Sequence, residues 1–231
     1  MKITVMSYNV RVGIESSLTD IAEGILSVSS PDLVAFQEIG VHWNMGEKVH
    51  QPQFIADRIG LPHVSFAGAL TDPEGGQFGV ALASRYPIGQ ESVTLHHQIT
   101  DEQRVFLQAR INAPTPFEVL TSHLSVEPEE RLHQARALSQ RASTIRGPKL
   151  VIGDFNARPE SLEYAELTSN LTDCFARSGD GPAETFSVKE PHRQIDYILC
   201  GGGFIPGPRS WVARSVTASD HFPLLAEIHI P

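Results

Sequence analysis

The first forty residues show two kinds of apolar pattern. From Lys2 to Tyr8 apolar and polar side chains alternate, which predicts a β-strand that ends at Asn9. A helix is predicted next, because apolar residues recur at intervals of three and four at Leu18, Ile21, Ile25 and Val28. The run Asp32–Gln37 predicts a second strand that ends at Glu38. If the two strands are parallel, Asn9 and Glu38 lie at the same edge of a sheet.

The middle of the chain predicts several strands and one long helix. The strands are expected at His63–Phe66, Phe78–Ala83, Glu91–Leu95, Arg104–Ile111 and Phe117–Ser122. The helix begins near Pro128 with acidic residues in its first turn. Its expected apolar face carries Leu132, Ala135, Leu138, Ala142 and Ile145.

A short apolar run in the last third leads into a polar turn. Leu150, Val151 and Ile152 predict a buried strand, and the segment Gly153-Asp154-Phe155-Asn156 follows it directly. Side chains that leave the carboxyl end of such a strand lie where layered α/β folds bind ligands. The rest predicts a helix near Pro159–Leu167 and strands at Ile195–Cys200, near Trp211–Thr217 and at Leu224–Ile230.

One segment, Gly40–Pro52, has no clear period and is predicted to be a loop before a short helix at Gln53–Ile59. It carries Trp43 and the histidines His42 and His50. Two interpretations stay open: a wall of a substrate site, or packing of Trp43 onto the domain.

Composition and charge narrow the function classes. A length of 231 residues with 41% hydrophobic and 19% charged residues is typical of a globular protein, and we expect one domain over residues 1–231. Eighteen basic and 27 acidic residues give a net charge of −9, which argues against broad electrostatic binding of duplex nucleic acid. The acidic balance is compatible with carboxylates that hold a metal.

The cysteines and the amino terminus bear on the compartment. Cys174 and Cys200 have no metal-ligand spacing and make no disulfide framework, so we expect reduced, packed thiols. The N-terminal residues lack the long apolar core of a signal peptide, and no apolar run is long enough for a membrane span. These features predict a cytoplasmic protein without a membrane span, and we expect a monomer.

Polar residues follow or end most of the predicted strands. They are Asn9, Glu38, His123, Asp154, Asn156, Asp196, Asp220 and His221. Each taken alone has a structural explanation as a turn, a cap or a solvated strand end. Together they contain the groups that metal-assisted phosphoryl transfer requires, namely carboxylates, amides and imidazoles.

These motifs resemble the endonuclease/exonuclease/phosphatase superfamily, and they occur in that family's order over nearly the whole chain. The matching pieces are SYNVR at Ser7–Arg11, QE at Gln37-Glu38, TSHLS at Thr121–Ser125, GDFNA at Gly153–Ala157, QIDYIL at Gln194–Leu199 and SDH at Ser219–His221. The resemblance implies an α/β four-layer sandwich, with two mixed β-sheets packed face to face and helices on both outer sides.

The resemblance also implies roles for the polar residues. Glu38 would be the principal Mg²⁺ or Mn²⁺ ligand, assisted by Asn9 and Asp220. Asp154 would orient or deprotonate the attacking water, and Asn156 would hydrogen-bond the phosphate or that water.

The remaining roles concern the imidazoles and one arginine. Asp196 would keep His221 charged and oriented toward a phosphate oxygen, although His221 as the base uses the same atoms. His123 would donate a hydrogen bond or a proton to the phosphate. For Arg104 two roles stay open, a phosphate contact or a structural ion pair.

These roles predict a metal-dependent hydrolase of phosphate esters, foremost a phosphodiesterase acting on nucleic acid or on a small phosphodiester. The alternative is a non-catalytic binding or scaffolding member of the same fold. The segments between the motifs decide the substrate, and they carry no lysine-rich phosphoinositide motif and no interleaved lysines and aromatics for single strands.

Overall fold

The computed structural model of the chain describes residues 1–230. Its five α-helices are α1 (Leu18–Val28), α2 (Gln51–Ile59), α3 (Pro128–Thr144), α4 (Leu162–Thr168) and α5 (Cys174–Ser178), and a short 3-10 helix lies at Arg11–Gly13. The first strands are β1 (Lys2–Asn9), β2 (Leu33–Val41), β3 (His63–Thr71), β4 (Gln77–Ser84), β5 (Ile88–Leu95), β6 (Val105–Ile111) and β7 (Phe117–His123). The later strands are β8 (Lys149–Asp154), β9 (Thr172–Asp173), β10 (Gly179–Asp180), β11 (Asp196–Gly201), β12 (Ile205–Val212) and β13 (Leu224–His229).

The strands form two mixed sheets. The seven-stranded sheet has the order β10-β12-β13-β1-β2-β4-β3, and the six-stranded sheet has the order β5-β6-β7-β8-β11-β9. Strands β1 and β2 pair in parallel, which is the condition for Asn9 and Glu38 to lie at the same edge, and β7 and β8 form the corresponding parallel pair in the second sheet.

The two sheets pack face to face, with helices outside. Between them lies a core that includes Val5, Leu107, Val119 and Ile152. A second cluster joins the outer face of the seven-stranded sheet to α1 and α2, and a third joins the six-stranded sheet to α3 and α4. The predicted four-layer sandwich is therefore confirmed.

Alternation along the strands explains where the polar strand ends point. Ile3 and Val5 of β1 face the inter-sheet core, while Met6 and Tyr8 face the helices, so Asn9 has the parity of the inter-sheet face. The same counting places His123 of β7, Asp154 of β8 and Asp196 of β11 on the inter-sheet side. Antiparallel pairing of β11 with β8 puts Asp196 opposite Asp154. These polar residues therefore form the rim of the inter-sheet core at one end.

Strand β2 differs from its prediction, because it continues past Glu38 to Val41. The ladder with β4 skips one residue between Gln37 and Ile39, and Glu38 adopts a left-handed backbone with φ of 49°. Such a bulge lets the strand resume pairing after one unpaired residue. As a result Ile39 takes the helix-facing position that Glu38 would have had.

Several further boundaries were predicted wrongly, among them the end of β3, which is Thr71, and the start of β5, which is Ile88. The strand near Trp211–Thr217 is in fact β12, Ile205–Val212, and its ladder with β13 is irregular between Pro206 and Ser210. The prolines of this segment weaken the strand pattern, but the irregular stretch of the ladder accommodates them. Helix α2 begins at Gln51 rather than Gln53, which shortens the predicted loop.

The long helix α3 also differs from its predicted face. Ala135, Leu138 and Ala142 are buried as expected, whereas Leu132 is only partly buried and the polar Glu130 and Gln134 are buried.

None of the helices within residues 1–230 combines the length and the hydropathy that crossing a membrane would need.

Candidate active site

The polar strand ends surround one cavity of about 360 Å³ at this end of the sandwich. It is lined by Arg11, Glu38, Arg104, His123, Val126, Asp154, Asn156, Phe186, Arg193, Ile195, Asp220 and His221. Seven of the nine candidate site residues therefore face the same space, and the other two, Asn9 and Asp196, touch cavity residues from behind. We call this space the polar cavity.

Asn9 connects the two sheets at the floor of the polar cavity. Its Nδ2 donates to Glu38 Oε1 at 2.9 Å and to Asp154 Oδ2 at 3.1 Å. Its Oδ1 accepts from the backbone N–H of Arg11 at 3.1 Å. Since Asn9 is fully buried, this amide fixes the separation of one carboxylate from each sheet.

Asp154 and Asn156 are held by the turn after β8. The backbone N–H of Asn156 donates to Asp154 Oδ1 at 3.0 Å, and Asn156 has a φ of 49°. Its Nδ2 donates to the carbonyl oxygen of Leu124 at 2.9 Å. Gly153 is required just before this turn, because a Cβ there would lie 1.9 Å from the carbonyl oxygen of Ser122.

Burial governs the protonation of Asp154. Desolvation, followed by the charge of Asp196, raises the pKa of Asp154 to about 7, against the lowering effect of His221. A carboxyl group with a pKa near neutrality can both accept and release a proton at physiological pH.

His221 lies between two buried carboxylates. Its Nδ1 donates to Asp196 Oδ2 at 2.9 Å, and its Nε2 lies 3.5 Å from Asp154 Oδ2. Burial alone would lower the pKa of His221, but the charges of Asp196 and Asp154 outweigh it and raise the pKa to about 10. The imidazole is therefore a cation at neutral pH, and the ring of Phe186 packs against it with centroids 4.8 Å apart.

His123 has the opposite electrostatic environment. Arg104 Nη1 donates to His123 Nδ1 at 2.8 Å, so this nitrogen is an acceptor and the ring is neutral. Burial, followed by the positive charges of Arg104 and His221, holds the pKa of His123 well below its usual value. A neutral His123 can serve the expected hydrogen bond, but it does not carry a second proton to give to a leaving group.

Arg104 makes the structural ion pairs that were one of the two roles left open by the sequence. Its Nη1 lies 3.0 Å from Glu102 Oε1, and its Nη2 lies 3.4 Å from Asp101 Oδ2. At the same time the guanidinium lines the polar cavity although only 6% of the residue is exposed. It is therefore an ion-paired arginine whose charge acts within the cavity.

Glu38 and Asp220 form the more solvent-exposed side of the polar cavity. Their side chains are 26% and 27% exposed, and Arg11 Nη1 lies 3.3 Å from Asp220 Oδ2. Burial raises the pKa of Glu38, against the hydrogen bond from Asn9, and the charge of Asp220 also raises it. A nearby cation would reverse this shift and stabilise both carboxylates.

The donor set fits a hard divalent cation. Mg²⁺ and Mn²⁺ prefer oxygen ligands and keep several waters, and Glu38 and Asp220 offer carboxylates that reach solvent. The ligand atoms of Asp154, Asp196 and His221 also lie within 4.8 Å of one another, but both imidazole nitrogens there already face carboxylates. Asn9 turns its NH₂ toward Glu38 and its oxygen toward Arg11, an arrangement that suits positioning of Glu38.

Some residues at the polar cavity were not singled out by the sequence analysis. Arg11 belongs to the SYNVR motif, so its position two residues after Asn9 was a usable signal. Phe186 and Arg193 come from the segment between β10 and β11, which lacks periodicity and gave no signal.

Comparisons with known proteins identify the family and the fold. The model of a family described as "Endonuclease/Exonuclease/phosphatase family" matches residues 6–221. A search of curated proteins finds no match. Among solved structures, an endonuclease/exonuclease/phosphatase from Beutenbergia cavernae is similar with a TM-score of 0.86 and 20% identity, covering 99% of this chain and 72% of that one.

Two further solved structures are similar over their full length. The mannosyl-6-phosphatase Bt3783 of Bacteroides thetaiotaomicron gives a TM-score of 0.81 and 18% identity, covering 99% of this chain and 100% of that one. TDP2 of D. rerio, complexed with a single strand DNA product, gives a TM-score of 0.76 and 19% identity, covering 99% of each chain. At these identities the similarity shows a shared fold.

Proposed function

The chain belongs to the endonuclease/exonuclease/phosphatase family, and from that premise we propose that it hydrolyses phosphate esters, foremost phosphodiesters, with Mg²⁺ or Mn²⁺. The observation that carries the proposal is the bridge made by Asn9. It holds the solvent-reaching carboxylate of Glu38 and the buried carboxylate of Asp154 at the same cavity. One side suits a hydrated cation, and the other suits a proton transfer.

The cation would be held by Glu38 and Asp220, with Asn9 holding Glu38 in position. When bound, such an ion neutralises charge on the phosphate and on the leaving oxygen. The positive charges of His221 and Arg104 face the same cavity and would bind non-bridging phosphate oxygens.

The general base is better assigned to Asp154 than to His221. His221 is already protonated at neutral pH, because two carboxylates raise its pKa, and a protonated imidazole cannot accept a proton. Asp154, whose pKa is raised to about 7, can orient a water and take its proton. Asn156 would hydrogen-bond the water or the phosphate, and neutral His123 would add a hydrogen bond.

The range of possible esters is wide. One similar structure is named a mannosyl-6-phosphatase and another holds a single strand DNA product, so the fold accepts both a sugar phosphate and nucleic acid. For this chain, the net charge of −9 favours a small phosphodiester, or nucleic acid bound locally at the arginines of the cavity.

The test is hydrolysis of bis(p-nitrophenyl) phosphate and p-nitrophenyl phosphate with Mg²⁺ or Mn²⁺, before and after chelation. We expect the diester to be the better substrate and activity to vanish on chelation, in Asp154→Ala and in Glu38→Ala. Glu23→Ala, at an exposed position of α1, is the control for loss of one carboxylate. Metal binding without turnover on a panel of phosphate esters would instead indicate the non-catalytic role.

A further inference from the structure

A second cavity adjoins the polar cavity and has a different character. It has a volume of about 230 Å³ and shares Arg11 and Glu38 with the polar cavity. Its walls are Val12, Ile14, Trp43, Met45, Leu70 and Phe78. We call it the apolar pocket.

The loop that carries Trp43 and Met45 forms one wall of the apolar pocket, and buried hydrogen bonds of Gln51 hold it in place. The fully buried amide of Gln51 accepts from the N–H of Gly40 at 2.9 Å and donates to the carbonyl oxygens of Val12 at 3.1 Å and Glu47 at 3.0 Å. Gly46 lies so close to Val12 that a Cβ would be 1.8 Å from its carbonyl oxygen. The wall is therefore preorganised, and Trp43 is held beside Phe78 with ring centroids 5.6 Å apart.

Unfavourable backbone conformations are concentrated here. Within residues 1–230, five non-glycine residues have positive φ, and they are Arg11, Val12, Glu38, His42 and Asn156. Four of them line one of the two cavities, and His42 precedes Trp43. Such conformations cost free energy and cluster at binding sites, so their placement indicates that both cavities are built for a ligand.

We propose that the apolar pocket binds a planar ring carried on one of the alcohols of the phosphate ester, while the phosphate occupies the polar cavity. The inference rests on the proposed function and names its substrate class. Because Arg11 and Glu38 line both cavities, the two spaces adjoin, so one ester can reach both.

Size and charge favour a ring over the alternatives. The volume lies below the roughly 300–1,000 Å³ of sites for drug-sized ligands, so one ring fits and a long acyl chain does not. Among the charged residues within 1–230 that line this pocket, Arg11 is the one cation beside Glu38 and Glu102, so the pocket has no excess of positive charge to bind a second phosphate. Trp43 and Phe78 supply two aromatic rings to the lining, and the half-exposed Met45 can adapt to the edge of a bound ring.

The experiment measures binding, so that it is independent of turnover. Trp43 and Trp211 are the two tryptophans of the chain, and in Trp211→Phe the fluorescence reports on Trp43 alone. With Mg²⁺ or Mn²⁺ present, we expect benzylphosphonate to quench this fluorescence and to bind about tenfold more tightly than methylphosphonate. Butylphosphonate should bind less tightly than benzylphosphonate.

Substitutions in the wall test which residues provide the preference. The ratio of benzylphosphonate to methylphosphonate affinity should fall toward one in Trp43→Ala, measured by calorimetry, and should largely survive in Trp43→Phe. Met45→Ala, at a residue 49% exposed where truncation should change stability little, should lower the ratio about threefold. Val93→Ala, at a residue 52% exposed on the edge strand β5, is the control and should leave the ratio unchanged.

The outcomes separate this inference from the proposed function. Equal affinities for the benzyl and methyl compounds would overturn the ring assignment even if diesters are hydrolysed, and tighter binding of the butyl compound would indicate a short chain instead. A clear benzyl preference in a protein without turnover would support the ring site and reject the hydrolase. Binding of thymidine 5′-phosphate over ribose 5-phosphate in Asp154→Asn would identify the ring as a nucleobase.

Discussion

The two sides of the polar cavity differ in how much water they keep. The side chains of Asp154, Asp196 and His221, the inner side, are 2%, 1% and 5% exposed. Those of Glu38 and Asp220, the outer side, are about a quarter exposed. Four carboxylates at one cavity thus fall into two environments.

This difference assigns different chemistry to similar groups. The inner carboxylates bond to an imidazolium and a backbone N–H, which fixes their positions and shifts their protonation. The outer carboxylates retain contact with solvent, which a cation that keeps its waters requires. Asn9 joins the two sides. A substitution on the outer side should change metal affinity, whereas a substitution on the inner side should lower turnover even at saturating metal.

The largest effect is expected on the inner side, from Asp154→Asn. The amide keeps the size of the side chain but cannot accept the proton of water, so kcat should fall about 10³-fold. The deficit should persist at saturating Mg²⁺ or Mn²⁺, measured as kcat for bis(p-nitrophenyl) phosphate. Asp173→Asn, at a buried carboxylate that caps α5 away from the cavity, should retain kcat. Recovery of Asp154→Asn activity by added metal would contradict the assignment of proton transfer to the inner side and metal binding to the outer side.

Glu38→Gln is expected to act through the metal. Loss of this charge on the outer side should weaken metal binding by at least about 100-fold, because loss of a residue that only orients a ligand already costs about 10–100-fold. Calorimetry with Mn²⁺ measures the affinity, and activity should return in part at high metal concentration. Glu23→Gln is the matched exposed control. An unchanged metal affinity with low kcat would place Glu38 in the chemistry instead.

A smaller loss of activity is expected from Glu130→Gln. Glu130 lies outside the polar cavity and supports the turn whose Asp101 pairs with Arg104. Glu130 Oε2 accepts from the backbone N–H groups of Ile99, Thr100 and Asp101 at 2.9, 2.8 and 3.2 Å. This turn carries the Asp101 carboxylate that pairs with Arg104. Replacing one carboxylate oxygen with an NH₂ should loosen the turn and lower kcat/KM about tenfold without changing metal affinity.

The control for this variant is its neighbour. Glu129→Gln, exposed on the same helix turn, should leave kcat/KM unchanged. If both variants behave alike, the loss reflects helix α3 and not the position of Arg104.

The sequence was sufficient for the layers and for most of the inner side. The apolar residues of β1, β7 and β8 predict the strands, so the polar residue that ends each of them is predicted to lie at a strand end. In β8 both faces are apolar, with Leu150 toward the inter-sheet core and Val151 toward the helices, so the face that His123 and Asp154 share comes from the structure.

The outer side and the apolar pocket depend on tertiary structure. Counting along β2 would place Glu38 on the helix side, and only the bulge redirects it. The walls of the apolar pocket, such as Val12, Trp43 and Phe78, come from three segments with no common period. Buried Gln51 brings two of those segments together, and no local pattern reveals such a bond.

The smallest effect on turnover is expected from His96→Gln. This variant tests, through the pH dependence of stability, whether the solvent-excluded region of the inner side extends as far as His96. His96 lies behind Arg104, 5% exposed, with Nε2 3.0 Å from Ser122 Oγ and its ring against Phe106. Burial, followed by the charge of Arg104, lowers the pKa of His96 to about 4.

The sign of the pH dependence follows from the two states. The unfolded chain binds a proton at His96 below about pH 6.5, while the folded chain binds it only near pH 4. Between pH 6.5 and pH 4 the unfolded chain therefore binds a proton at His96 that the folded chain does not bind. As a result the free energy of unfolding is unaffected by protonation of His96 above pH 6.5 and decreases as the pH falls toward 4. Between pH 7 and pH 4.5 the wild type should lose on the order of 2–3 kcal/mol more unfolding free energy than His96→Gln. Urea unfolding at both pH values measures this difference, with His133→Gln, exposed on α3, as the control. Parallel losses in wild type and His96→Gln would show that water reaches the ring, and the dry region would then end at Arg104.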